Sequence, residues 1–192
     1  MKRVLALIIF LSSLPIQANQ ESRVDLFVGS FAQALTNVNS DHRILFTAGG
    51  DGKVYLSESW GINLGLKSQK RGFNLGGFTK SAVFADLYLA AIWNLQSGLW
   101  SDEARTEIML GPIFLFPLGN YRGPLSLAFG SDSQTDIGFY LAMEQSWKWT
   151  EVYSLGYRLW FSQGFKGITK NAAAKIRPIE LGASFVFTLE GA

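Results

Sequence analysis

The sequence predicts an all-β chain folded as an eight-stranded antiparallel up-and-down transmembrane β-barrel, and three observations carry that prediction. Eight stretches alternate apolar and polar residues with the period of a strand. The connections between them alternate between short and long. Twenty glycines, 15 Phe, 6 Trp and 6 Tyr, with only 17% charged residues, suit strands that twist tightly and meet an interface.

The first element is not part of that fold. Lys2 and Arg3 precede the apolar run "VLALIIFL", Val4 to Leu11, and then "SSLPIQA" ending at the small Ala18. This is the pattern of a secretory signal peptide, residues 1–18, leaving 19–192 as one barrel domain. The apolar run is about half of the roughly 20 residues that a spanning helix needs. Taking 18 residues from 192 leaves 174, and losing Lys2 and Arg3 turns the formal charge of +2 into zero. The basic pI therefore belongs to targeting, and nothing in the charge pattern fits a nucleic-acid backbone.

The strands are expected at residues 24–35, 44–56, 60–70, 82–95, 105–117, 135–147, 151–163 and 176–189. Each matches or exceeds the roughly 9–11 residues that cross a bilayer at a tilt. Strand one offers two competing outer rows, Val24/Leu26/Val28 and Phe27/Phe31/Leu35, and Asp25, Gly29 and Gln33 are placed inside. In strand two, "GGDGK" (49–53) is glycine-rich but lacks the Lys-Ser/Thr and helix of a phosphate loop, so its glycines are read as bending a strand. Strand three, "WGINLGLK", sets Trp60, Ile62, Leu64 and Leu66 against Gly61, Asn63, Gly65 and Lys67. Strand four sets Val83, Leu87, Leu89, Trp93 and Leu95 against Asp86, Tyr88 and Asn94. In strand five both rows are apolar beyond Gly111, and Pro112, with no N–H, is expected outside regular pairing or at a bulge. Strand six sets Ile137, Phe139, Leu141 and Met143 against Asp136, Gly138, Tyr140 and Glu144. Strand seven, "VYSLGYRLWFSQGF", carries Arg158, and strand eight sets Ile179, Leu181, Ala183, Phe185, Phe187 and Leu189 against Glu180, Gly182, Ser184 and Thr188.

Alternation alone fits a soluble sandwich with oil inside or a membrane barrel with oil outside. The connections favour the barrel. "SES" (57–59) and "KWT" (148–150) are tight and "QSGLWSDEA" is intermediate, whereas "TNVNSDHR", "KRGFNLGGFTKS", "LGNYRGPLSLAFGSDSQ" and "GFKGITKNAAAK" are long and polar or glycine-rich. Short turns at one end together with both termini, and long loops at the other, is the plan of an outer-membrane barrel. The strand directions then collect Trp60, Trp93, Trp100, Trp147 and Trp149 at the short-turn end, as a membrane-interface belt would.

With the apolar rows outside, Asp51, Lys53, Lys67, Asp86, Glu107, Asp136, Glu144, Arg158 and Glu180 fall on inward positions. An unpaired buried charge costs several kcal/mol, so these residues are expected to form a paired network that plugs the lumen. Eight strands leave an interior about filled by side chains, which weighs against a solute path. No cysteine and a single histidine, His42, exclude thiolate and imidazole metal clusters, and no cofactor is expected. His42, Ser131, Asp132 and Ser133 are the only candidates for chemistry at the outer rim, and they read as loop filler. Loop 118–134, with Tyr121, Leu125, Leu127 and Phe129, is the expected contact surface for a protein partner, and lipid is the expected partner of the wall.

The order "WGINLGLKSQKRGF", "SAVFADLYLAAIWNL", "LGPIFLFPLG", "DIGFYLAMEQSW", "VYSLGYRLWFSQGF", "RPIELGASFVFTL" resembles the PorT-like outer-membrane β-barrel family over most of the processed chain. The resemblance implies an outer-membrane location and a porin-like eight-stranded barrel without assigned chemistry, some members being linked to protein secretion. The expected function is thus structural or interactive, not enzymatic. The rivals are an enzyme acting on lipid A at the rim and a soluble periplasmic calycin-like carrier, whose oily rows would face inward.

Overall fold

A computed structural model describes residues 21–35, 43–75, 78–95, 104–119, 134–167 and 177–191. Eight strands close into one barrel in sequence order. They are β1 (Ser22–Leu35), β2 (Arg43–Tyr55), β3 (Trp60–Leu75), β4 (Phe78–Leu95), β5 (Ala104–Pro117), β6 (Asp136–Lys148), β7 (Tyr153–Gly164) and β8 (Pro178–Glu190). Each pairs antiparallel with its sequence neighbours, and β1 closes on β8 from Arg23↔Glu190 to Leu35↔Pro178. Closure gives every strand a paired neighbour on each side, which is how a barrel satisfies most of its backbone without water.

Hydroxyl-capped turns close the short end. Leu56 and Ser57 N–H donate to the Trp60 carbonyl at 2.9 and 3.1 Å, and Trp149 and Thr150 N–H to that of Tyr153 at 2.9 and 3.0 Å. The Ser57 and Thr150 hydroxyls accept from the Trp60 and Tyr153 N–H groups. The first and last described residues lie here too, since Tyr55 N–H donates to the Glu21 carbonyl and Gly191 N–H to that of Ser22.

The pleat sends alternate side chains to opposite faces, and the barrel puts its oil outside. Phe46 and Phe185 are 79% and 78% exposed on the outer wall, with Leu26, Val28, Ile62, Leu89 and Leu181 also exposed. Asp25, Asp51, Asn63, Asp86 and Arg158 are buried inside. This arrangement is the reverse of the one a calycin-like carrier needs. It also decides β1, where Val24, Leu26 and Val28 face out while Phe27 and Phe31 face in.

The lumen is filled. Tyr88 and Tyr140 stack with ring centroids 4.5 Å apart, and Phe31 packs against Trp160 at 5.6 Å. Glycines opposite these rings make the room: a Cβ on Gly65 would overlap the Tyr88 ring, and one on Gly182 the Trp160 indole. In β5, Ile113 and Leu115 turn inward while Phe116 faces out, so the doubly apolar stretch is wall and core at once. The β4–β5 ladder breaks between Tyr88↔Ile113 and Ala91↔Leu110, the positions facing Gly111 and Pro112, because Pro112 has no proton to donate.

One expected loop is strand instead. "KRGFNLGGFTKS" continues the β3–β4 ladder from Lys70↔Val83 to Leu75↔Phe78, leaving only residues 76–77 between the strands. A glycine in a strand costs only about 0.5–1 kcal/mol. Continued pairing of the backbone N–H and C=O groups outweighs that. The other boundaries shift by one or two residues.

Candidate functional site

The candidate site is the lumen, where charged side chains from every strand meet in two clusters. Inward positions on neighbouring strands stand side by side, so a short chain on one wall reaches only the axis. Lys and Arg, with longer stems, reach across.

In the cluster nearer the termini, Lys53 Nζ lies 2.7 Å from Asp25 Oδ2, 2.8 Å from Glu107 Oε2 and 2.6 Å from Glu144 Oε1. Arg158 takes the far side of the same acids, 2.8 Å from Asp25 Oδ2, 2.5 Å from Asp51 Oδ2 and 2.6 Å from Glu144 Oε2. Remaining lone pairs are met by hydroxyls. Tyr88 donates to Asp51 at 2.5 Å, Tyr55 to Glu107 at 2.5 Å and Thr188 to Asp25 at 2.7 Å. Arg105 continues the cluster toward the mouth, 2.7 Å from Glu107 Oε1 and 4.0 Å from the Tyr55 ring centroid. Arg23 pairs with Glu190 at 2.8 Å and with Glu21 at 2.6 Å.

The outer cluster centres on Arg71. Its guanidinium holds both Asp86 oxygens, at 2.6 and 2.7 Å, and reaches Glu180 at 2.6 and 2.9 Å. Gln69, Ser162 and Gln33 also donate to Glu180, at 2.8, 2.9 and 3.4 Å. Bidentate charge-assisted bonds of this kind are the strong ones. Between the clusters, Lys67 Nζ lies 3.8 Å from Asp86 Oδ2 and 3.4 Å from the Trp160 ring centroid, a cation held against an aromatic face.

Of the nine residues expected in the lumen network, Asp51, Lys53, Glu107, Glu144 and Arg158 meet in the inner cluster, and Asp86, Glu180 and Lys67 in or beside the outer one. Asp136 points inward but joins neither. Its carboxylate accepts the N–H groups of Ile137, Lys166 and Gly167 at 2.8, 2.7 and 3.1 Å, capping the start of the segment after β7. Arg71 is absent from the expectation because its segment reads as a loop. Its even spacing from Lys67 and Gln69, which puts all three on one face of a strand, was the available signal. Asp25, expected inside, turns out to bridge Lys53 and Arg158, and Tyr55 and Arg105 complete the mouth.

On the outer face Trp60 and Trp93 stack at 6.0 Å, and Trp147 packs on Tyr157 at 5.6 Å. Trp149 is exposed in the next turn. Trp100, His42, Ser131, Asp132 and Ser133 lie outside the described residues, as do residues 120–133 of loop 118–134. Among the described residues no group of acids or histidine is arranged to hold a metal ion.

No family model matches the chain, and no curated protein does. Solved structures do. Neisserial surface protein A is 14% identical, with a TM-score of 0.57 over 88% of this chain and 96% of that one. The outer membrane protein OprG from Pseudomonas aeruginosa is 9% identical, with a TM-score of 0.54 over 89% and 95%. At such identities the likeness is one of fold: this chain shares the closed eight-stranded β-barrel of those two proteins.

Proposed function

We propose that this chain is an integral outer-membrane barrel with a closed, charge-filled lumen, acting as a structural or interaction protein through its outer loops. The single observation that carries this reading is the inverted wall: apolar side chains outside and paired charges inside. A stable, water-soluble monomer does not leave so continuous an apolar surface uncovered. The pairs Trp60/Trp93 and Trp147/Tyr157 at the short-turn end support a periplasmic interface belt there, with the opposite strand ends, Leu35 and Pro117 among them, toward the environment. The motif order favours a place near the PorT-like barrels, with residues 1–18 as the signal peptide.

The two clusters support a plug. They tie β1, β2, β5, β6 and β7 to one another at one level and β3, β4 and β8 at another, and they occupy the axis of the barrel. A non-enzymatic role follows from this reading, since the acids of both clusters are committed to Lys and Arg and Asp136 to backbone amides. Envelope fractionation with a heat-dependent gel shift tests it. The folded chain should travel with the outer membrane, require an amphiphile and migrate differently before and after boiling. A processed chain that stays dissolved and monomeric in plain buffer rules the reading out.

A further inference from the structure

β2 and β3 separate in the outer part of the wall. Their ladder runs from Tyr55↔Gly61 to Thr47↔Gln69 and stops, although β2 continues to Arg43 and β3 to Leu75. Beyond that point each strand keeps only its other neighbour. Phe46 to Arg43 pair with Ser30 to Gln33 of β1, and Lys70 to Leu75 with Val83 to Phe78 of β4. Two strand edges therefore face each other across a wedge.

At the apex of the wedge lies an outward-opening groove of about 330 Å³. Val28, Phe46, Ala48 and Val83 give it apolar walls. Thr47, Ser68, Gln69 and Lys70 also line it, and the Thr47 hydroxyl donates to the Ser68 carbonyl at 3.4 Å. Gln69 is 2% exposed and its Oε1 has no hydrogen-bond partner, while its Nε2 is committed to Glu180. Lys70 is exposed on the outer wall and forms no ion pair among the described residues.

The height of the groove indicates what covers it. The outward row of β3 is Trp60, Ile62, Leu64, Leu66, then Ser68 and Lys70. Lys70 stands ten residues along β3 from Trp60. With strand tilt this is about 25 Å, the height of the apolar band of such a barrel. A cation at that level meets anionic headgroups, with acyl chains directly beneath. The groove does not lead into the lumen, because the Arg71–Asp86–Glu180 cluster stands behind Gln69.

We propose that this notch binds one anionic lipid of the outer leaflet. An acyl chain lies along Val28, Phe46, Ala48 and Val83, and a phosphate pairs with Lys70 Nζ. The inference rests on the membrane placement proposed above, and its choice of ligand comes from the apolar walls and the unpaired cation.

Native mass spectrometry of the full chain released from detergent micelles, with lipid A or phosphatidylcholine added, tests the site. The wild type should retain one lipid A and discriminate against phosphatidylcholine. Lys70→Gln should weaken lipid A retention about tenfold, as the loss of one charge-assisted contact implies. Ala48→Trp and Val83→Trp should each block the groove, while Lys148→Gln, at the opposite end, should leave binding unchanged. Equal retention by wild type and Lys70→Gln overturns the proposal. So does a dimer that the tryptophan variants dissociate, which makes the wedge an interface between copies. A heat-dependent gel shift on each sample separates the two failures: a folded barrel blind to lipid A sinks only this site, whereas a chain that needs no amphiphile sinks the membrane placement.

Discussion

Replacing Arg158 by Ala removes the cation that three carboxylates share. Asp25, Asp51 and Glu144 all lie within 2.8 Å of its guanidinium, and its side chain is 1% exposed. After the substitution Lys53 still holds Asp25 and Glu144, but Asp51 keeps only the Tyr88 hydroxyl, and the guanidinium that lies 4.9 Å from the Phe27 ring centroid is gone. Breaking a buried pair on one side costs about 3–5 kcal/mol, because the remaining charge is left uncompensated. With a urea dependence of about 2 kcal/mol per molar, the unfolding midpoint in lipid vesicles should fall by roughly 2 M. Arg158→Met combined with Asp51→Asn and Glu144→Gln should recover most of that loss, since it removes the stranded charges as well. The assay is intrinsic fluorescence across a urea series at equal protein-to-lipid ratio. A midpoint shift below about 0.5 M for Arg158→Ala, or no recovery in the triple variant, refutes the claim that this cluster is a plug held by paired charges.

The remaining predictions probe other parts of the wall and lumen. Gly65→Ala should destabilise by about 1–3 kcal/mol, because the new methyl group overlaps a Tyr88 ring fixed by Asp51 and Tyr140. Gly52→Ala, with open space around it on the outer face, should stay within about 0.5 kcal/mol in the same urea series. Asp136→Ala should cost about 1–3 kcal/mol by stranding the Lys166 and Gly167 N–H groups, and hydrogen exchange at those two amides should quicken. At the mouth, partial burial raises the Glu21 carboxyl pKa, but Arg23 and Arg105 outweigh it and hold it below the usual 4.5. Its small stabilising effect is therefore complete above pH 4.5 and fades as pH falls through the lower folded value. Glu21→Gln should flatten only that acid limb of the stability profile, and a carboxyl titration above 4.5 in the wild type contradicts the assignment.

The strands and their directions were legible in the sequence because period-two alternation survives wherever one row is apolar and the other is not. In β8, Leu181/Ala183/Phe185 against Glu180/Gly182/Ser184 left a single reading. Legibility failed where both rows were alike. β1 carries Phe27 and Phe31 inward and Leu26 and Val28 outward, so periodicity could not choose between them, and only the partner strands did. Arg71 was missed because Gly72 and Asn74 follow it, a local turn signal that the β4 partner overrides by pairing. Parity placed the lumen charges on the inner face, but which acid meets which base depends on the stagger between strands. Asp136 shows the difference: it points inward, yet its partners are backbone amides of a segment 30 residues away. The β2–β3 wedge had no sequence signal of its own, since residues 43–46 keep an ordinary strand pattern and 70–75 read as a loop.

The account depends most on what touches the outward row of the wall. Because the chain has no cysteine, single cysteines at Ala183, Ser184, Phe185, Val186 and Phe187 can each carry a nitroxide in lipid vesicles. Collision with lipid-soluble oxygen should be frequent at Ala183, Phe185 and Phe187 and rare at Ser184 and Val186. The reverse pattern, or five equal rates, contradicts a wall whose apolar row is covered by lipid.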